Sequence, residues 1–132
     1  MKGFFTTIES ETTENRSFRK VLYTGKFTQL VLMCLLPKEE IGGETHNDND
    51  QFFRFESGTG KCIIDGNEYE VKDGDAIIVP AGAKHNIINT SEFDELKLYT
   101  IYSPPHHKDG IVRATKELAN KNAPEFDGKT TE

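Results

Sequence analysis

The sequence predicts an all-β protein whose short strands close into a barrel or pack as a sandwich. Runs rich in β-branched and aromatic residues recur along the chain, and Gly, Pro, Asn and Asp residues separate them. Roughly eight to ten such strands are expected between residues 18 and 105. Antiparallel sheets must hide their edges, so a series of this kind favours a closed barrel or a sandwich.

Composition limits the functional classes. At 132 residues the chain is long enough for one domain, and its formal net charge is −6 without a basic patch. Nucleic acid and anionic membranes are therefore not expected partners. No apolar run approaches the roughly 20 residues of a membrane helix, and the polar N-terminus lacks the apolar region of a signal peptide. We expect a cytoplasmic protein in which Cys34 and Cys62 are buried free thiols.

The first half of the chain begins with a polar, Thr/Glu-rich segment. Residues 1–17 predict an N-terminal arm or an edge strand. Strands are expected over residues 18–24 and 27–36, and Pro37, which cannot donate to a ladder, closes the second of them. A short strand over residues 44–46 follows and ends in a polar loop.

The second half continues the strand pattern and ends in the only segment with convincing helical character. Strands are expected at residues 51–56, 61–64, 68–71, 76–79, 85–89 and 96–102. Asp65-Gly66 is the pair that a tight hairpin prefers. Pro104-Pro105 ends the sheet, so the barrel spans residues 18–105. Residues 106–132 hold a short helix at 115–120 and a tail that we expect to be loose after Pro124.

One stretch reads as strand, turn and strand with a histidine just inside the second strand. Residues 74–89 have the sequence GDAIIVPAGAKHNIIN. Pro80 and Gly82 set the turn that delivers His85. His85 and Asn89 then lie on the same face of the second strand, because alternate residues of a strand share a face.

A second polar cluster precedes this motif. Glu44 and His46 are two residues apart, so both point to one face of their short strand. Gln51 opens the next strand. Together with His85, these residues supply four polar side chains with atoms that bind metals.

Both motifs resemble those of the cupin superfamily. The second cupin motif, Gly-x5-Pro-x-Gly-x2-His-x3-Asn, is matched at all five positions, by Gly74, Pro80, Gly82, His85 and Asn89. The first motif, Gly-x5-His-x-His-x(3 or 4)-Glu-x6-Gly, is matched in spacing, but Glu44 replaces its first His and Gln51 replaces its Glu. Lys38 stands at its leading Gly. The resemblance covers about residues 28–104 and implies a double-stranded β-helix, the jelly-roll barrel of cupins, with a short C-terminal helix added.

The resemblance implies a metal site formed by Glu44, His46, Gln51 and His85. Two imidazoles, one carboxylate and one amide oxygen suit a divalent ion, with zinc as the first expectation and iron, manganese or nickel as alternatives. Glu44 is also the candidate catalytic base. A competing register pairs His46 with Asp48. The alternative without a metal places these polar residues on an exposed rim.

Two further histidines and a tyrosine are candidates for the surroundings of this site. His106 and His107 either line the barrel mouth or lie in a surface loop, and the surface loop is the preferred interpretation. Tyr102 is interpreted as a sheet residue.

The stretch Glu-x-His-x4-Gln-Phe-Phe-Arg at residues 44–54, together with LYTIYSPPH at residues 98–106, further resembles small single-domain cupins labelled mannose-6-phosphate isomerase-like. This implies a metal-dependent protein acting on a sugar or sugar phosphate, as an isomerase, although no basic cluster for a phosphate is evident. Two alternatives stay open: a non-haem iron dioxygenase using Glu44, His46 and His85, and a non-catalytic module that binds a small sugar-like or anionic ligand. Small cupins usually pair, and the apolar strand at residues 27–36 leads us to expect a homodimer.

Overall fold

The computed structural model describes residues 1–132 and contains ten strands in two antiparallel sheets. The strands are β1 (Arg19–Thr24), β2 (Gln29–Leu35), β3 (Glu44–Thr45), β4 (Asp50–Ser57), β5 (Thr59–Ile64), β6 (Asn67–Lys72), β7 (Ala76–Val79), β8 (Lys84–Asn89), β9 (Leu96–Ser103) and β10 (Val112–Arg113). Two short helices are α1 (Ile8–Glu14) and α2 (Lys116–Lys121). The expected all-β architecture with a short C-terminal helix is confirmed. Neither helix has the length and apolar character needed to cross a membrane.

The two sheets face each other across one hydrophobic core. One sheet has the strand order β10-β1-β2-β9-β4-β7 and the other β3-β8-β5-β6. Leu98 of β9 pairs with Met33 of β2 on one side and Phe55 of β4 on the other, and all three are buried. Cys62 and Ile87 pair across β5 and β8 and fill the core from the opposite sheet. Burying each large apolar side chain contributes about 1.5–3 kcal/mol, so this core holds the sheets together.

Both cysteines are buried free thiols, as expected. Burial, together with a hydrogen bond to Glu95, raises the pKa of Cys34 to about 12. Burial raises the pKa of Cys62 to about 11. Neither thiol is therefore ionised at neutral pH, and neither acts as a nucleophile there.

The N-terminal segment differs from the predicted edge strand because residues 8–14 form α1 instead. The helix packs against β4 and β9. Just after α1, Lys97 of β9 donates from Nζ to the carbonyl oxygen of Asn15 at 2.6 Å. Only Thr12 of α1 is buried, so the segment lacks the apolar periodicity that reveals a helix in a sequence.

The expected homodimer was inferred from the apolar strand that contains β2, so the exposure of the outer face of β2 is relevant to it. Leu32 and Cys34 point away from the core by strand alternation, yet both are buried within the single chain. Part of the apolar strand that suggested a second copy is thus already covered. The homodimer stays a prediction.

The C-terminal tail is ordered, contrary to the expectation of a loose segment. After Pro124 the chain runs back along the segment that follows β9, and Phe126 N–H donates to the His106 carbonyl at 2.9 Å. Thr131 N–H donates to the Thr24 carbonyl at 2.9 Å. Main-chain hydrogen bonds of this kind leave no hydrophobic pattern, which is why the sequence did not reveal them. The two-residue strand β10 was missed for the same reason.

Candidate metal centre

Strand register brings the two sequence motifs together. In the antiparallel pair of β3 and β8, Glu44 lies directly opposite His85. Residues paired in this way present their side chains on the same face. His46 follows Glu44 by two positions, just beyond the end of β3. As a result, the ligand atoms of Glu44, His46 and His85 all lie within 4.8 Å of one another.

The turn before β8 is tied to the first motif. Gly82 has φ +91°, a conformation that side-chain-bearing residues rarely adopt, and its N–H donates to the His46 carbonyl at 2.9 Å. His85 follows this turn, with Nδ1 3.5 Å from the Ala83 carbonyl. Its Nε2 is buried and has no hydrogen-bond partner. Nε2 is therefore the nitrogen left free to bind a metal.

Asn89, the last residue of the second motif, has a structural role. Its side-chain amide donates to the carbonyls of Leu35, Leu36 and Asp94, and its oxygen accepts from Ser91 N–H. It anchors the end of β8 and does not contribute to the candidate metal centre.

The charge states of Glu44 and His85 suit a cation. His46 Nε2 lies 3.1 Å from Glu44 Oε2. Burial alone would raise the pKa of Glu44, but the hydrogen bond with His46 and the charges of His46 and Arg19 lower it overall. Burial lowers the pKa of His85, although its contact with the Ala83 carbonyl acts in the opposite sense. An ionised carboxylate beside a neutral imidazole is the combination that a divalent ion requires.

Gln51 also faces the barrel interior. It is buried in β4, opposite Tyr102 of β9, and its Nε2 donates to Thr100 Oγ1 at 2.9 Å. Its Oε1 is buried without a partner. Buried polar atoms without partners are uncommon, so this oxygen and His85 Nε2 both fit a site built to hold an ion. The assignment of Gln51 as fourth ligand stays a prediction.

The competing register with Asp48 is not favoured by the geometry. Asp48 is exposed and lies outside the converging group, whereas Glu44 belongs to it.

All four histidines of the chain form one cluster. Ring centroids are 5.3 Å apart for His85 and His46, 4.4 Å for His46 and His106, and 4.7 Å for His106 and His107. The preferred interpretation of His106 and His107 as a surface loop is therefore wrong. The segment after Pro104-Pro105 turns over the barrel mouth and packs its histidines inward.

His107 and Tyr102 close one side of this cluster. His107 is buried, and its Nε2 lies 3.2 Å from the Tyr102 hydroxyl. Burial and, after it, the positive charge of Arg19 lower the pKa of His107 to about 2, so the ring is neutral. The sequence interpretation of Tyr102 as a sheet residue is correct for its backbone but missed this contact. The sequence did not predict that Arg19 would act on this cluster, because no motif includes it.

A pocket of about 350 Å³ opens at the barrel mouth. Its lining includes His46, His106, Asp48, Glu125 and Phe126, so the ordered tail forms part of its wall. A pocket of this volume accommodates a small molecule beside His46, the candidate ligand that lines it.

The chain is similar to a known protein family and to proteins from a virus and a bacterium. The Cupin domain family matches residues 31–102 of the chain. The uncharacterized protein L612 of Acanthamoeba polyphaga mimivirus is 44% identical over 112 residues, covering 83% of this chain and 70% of that protein. The uncharacterized protein YrkC of Bacillus subtilis (strain 168) is 44% identical over 121 residues, covering 87% of this chain and 64% of that protein.

A solved structure extends the comparison to the fold. The crystal structure of BH2720 from Bacillus halodurans superposes with a TM-score of 0.89 at 42% identity. The match covers 92% of this chain and 96% of that chain. The jelly-roll fold that the sequence predicted is thereby confirmed.

Proposed function

Because the chain belongs to the cupin family, we propose that it binds one divalent metal ion inside its barrel and uses the ion to hold a small molecule at the barrel mouth. Glu44, His46 and His85 are the proposed ligands. The observation that carries the proposal is the convergence of their ligand atoms within 4.8 Å. Gln51 is the proposed fourth ligand, through its unpartnered Oε1.

The donor set indicates the kind of metal chemistry. Two histidines and one carboxylate are typical of catalytic zinc sites, which keep a position open for water or substrate, and also of non-haem iron sites. A bound ion of this kind supplies a Lewis acid that polarises a coordinated oxygen. Glu44 Oε2 and His46 Nε2 lie 3.1 Å apart, and both would bind the ion in place of the hydrogen bond between them. The lowered pKa of Glu44 suits a ligand better than a general base.

The metal proposal is tested by elemental analysis after loading with zinc, iron, manganese or nickel. Wild-type protein should retain about one ion per chain, and Glu44→Gln should weaken the affinity about 100-fold or more, since changes outside the ligand shell alone cost 10–100-fold. Asp48→Asn is the matched control, because it removes the same charge from an exposed residue that lies outside the converging group.

Two outcomes contradict the proposal. One is that Glu44→Gln and Asp48→Asn bind metal equally well. The other is that wild-type protein retains none of the four metals.

Isomerisation of a sugar or sugar phosphate is the first candidate activity, supported by the family resemblance of the sequence. It is tested by following the conversion of mannose 6-phosphate to fructose 6-phosphate by zinc-loaded protein. No conversion with any of the four metals would remove this candidate.

Dioxygenase chemistry is the second candidate, and the two-histidine, one-carboxylate set favours it. It predicts oxygen uptake by iron-loaded protein in the presence of a phenolic, thiol or diketone substrate, and no uptake by zinc-loaded protein. A protein that binds metal and ligand but shows neither activity would be a non-catalytic binding module.

A further inference from the structure

Arg19 is a charged residue whose side chain points into the barrel interior. It opens β1, where it alternates with Val21, and it lies opposite Met33 of β2. Val21 and Met33 both belong to the core, so the Arg19 side chain points inward as well. Only 7% of the residue is exposed.

The guanidinium of Arg19 has no partner of opposite charge. Its Nε is buried without a hydrogen bond, and the ion pairs of the structure involve other cations. Its one aromatic contact is with the ring of Phe18, at 5.4 Å from the centroid. A buried charge without a partner is costly, and buried charges in proteins are normally paired, so the missing partner of Arg19 calls for an anion from outside the chain.

Glu44, the carboxylate of the candidate metal centre, is already engaged. Glu44 is paired with His46 and does not come within ion-pair distance of Arg19. Gln51 alternates along β4 with Phe53 and Phe55 of the core, so its side chain points into the same barrel interior as that of Arg19. The guanidinium therefore faces the same interior space as the proposed metal ligands.

We propose that Arg19 anchors the anionic group of the ligand held at the metal, and that this group is a carboxylate. A single guanidinium presents a planar fork that matches one carboxylate in a bidentate manner. With a divalent ion bound, one carboxylate ligand and one guanidinium leave the buried part of the site net positive, because the other carboxylates of the pocket, Asp48 and Glu125, are exposed to solvent. This favours an anion over a neutral sugar. The inference rests on the proposed metal centre and names the class of its ligand.

The test measures the binding of malonate, of its neutral analogue malonamide and of inorganic phosphate by calorimetry to zinc-loaded protein. Arg19→Met should weaken malonate binding about 10- to 100-fold, the worth of a charge-assisted hydrogen bond, while Arg19→Lys weakens it less. Malonamide should bind weakly to all forms. Arg113→Met is the matched control, because Arg113 pairs with Arg19 in register but bonds to the Asn122 carbonyl.

Stability distinguishes a ligand anchor from a structural residue. Removing a buried charge that has no partner should leave the melting temperature of ligand-free Arg19→Met unchanged or higher. A structural role for Arg19 would lower it. Zinc content, measured by elemental analysis, should stay the same in Arg19→Met.

Each adverse result has a separate meaning. Equal malonate binding by zinc-loaded wild type and Arg19→Met would overturn the anchor and leave the metal centre intact. Arg19-dependent binding of phosphate in preference to malonate would overturn the carboxylate class. If wild-type protein holds no zinc but binds malonate in an Arg19-dependent manner, the anchor stands and the metal centre falls.

Discussion

The variant Gln51→Glu probes the fourth ligand position, because it should act in opposite directions with and without metal. Gln51 is 3% exposed, its Nε2 is bonded to Thr100 and its Oε1 has no partner. Glutamate has nearly the same shape but introduces a carboxylate that burial keeps protonated. Without metal the variant should lose stability. With zinc bound, the carboxylate becomes a ligand and the loss should be recovered.

The loss of stability expected for metal-free Gln51→Glu follows from the difference between the pKa of the new glutamate in the folded protein and in the unfolded chain. A glutamate that stays neutral in the folded protein while it ionises near pKa 4.3 in the unfolded chain costs about 4 kcal/mol at pH 7 and about 1 kcal/mol at pH 5. The folded pKa is raised, so the penalty is absent below pH 4 and grows as pH rises. At pH 7 the melting temperature should fall by about 10 °C or more.

The assay is thermal denaturation followed by circular dichroism at pH 5 and pH 7, with EDTA and with zinc. Gln29→Glu is the matched control: Gln29 is equally buried, but its oxygen already accepts from the His106 and His107 N–H groups. Zinc should raise the melting temperature of Gln51→Glu more than that of wild type or of Gln29→Glu. An equal zinc effect in all three proteins would refute the assignment of Gln51 as a ligand.

Two further predictions concern the scaffold. Gly60→Ala should lower the free energy of unfolding in urea by about 1–3 kcal/mol, because the new Cβ would lie 2.6 Å from the Ile88 carbonyl oxygen. The control Gly25→Ala, whose Cβ would have no contact closer than 3.5 Å, should be nearly neutral. Similar losses of stability in the two variants would contradict this packing. Cys34 and Cys62 should react slowly with a thiol reagent at pH 8 in folded protein and fast in urea, and fast labelling of folded protein would contradict their burial. Because the pKa values of both thiols are raised in the folded protein, the free energy of unfolding should be constant below pH 8 and fall towards pH 11.

The strands and the turn glycines could be predicted because their signals are local. Strand alternation over residues 51–56 and 96–102 matches β4 and β9 to within one residue at each end. The turn before His85 requires the positive φ that Gly82 adopts. Local chemistry determined these elements, and the pairing of Glu44 with His85 followed from the family spacing.

The features that were missed depend on contacts between distant parts of the chain. The tail is held by main-chain bonds to the His106 carbonyl and to Thr24, and no residue type signals such bonds. Arg19 is one basic residue in a strand, and only the register of β1 against β2 shows that it points inward. His106 and His107 look like surface residues until Pro104-Pro105 is seen to turn them over the barrel mouth.

The departures of this chain from the cupin motif change the position of the one carboxylate in the ligand set but not its charge. The family pattern places its one carboxylate at the position of Gln51 and a histidine at the position of Glu44. This chain also has one carboxylate, but it is moved from β4 to β3. The charge of the ligand set is thus conserved, so a divalent ion still fits. The move places Gln51, a neutral amide, beside Thr100 and puts the carboxylate beside His46. An anchor for an anionic ligand is useful in such a site, because Glu44 is committed to His46 and leaves the guanidinium free.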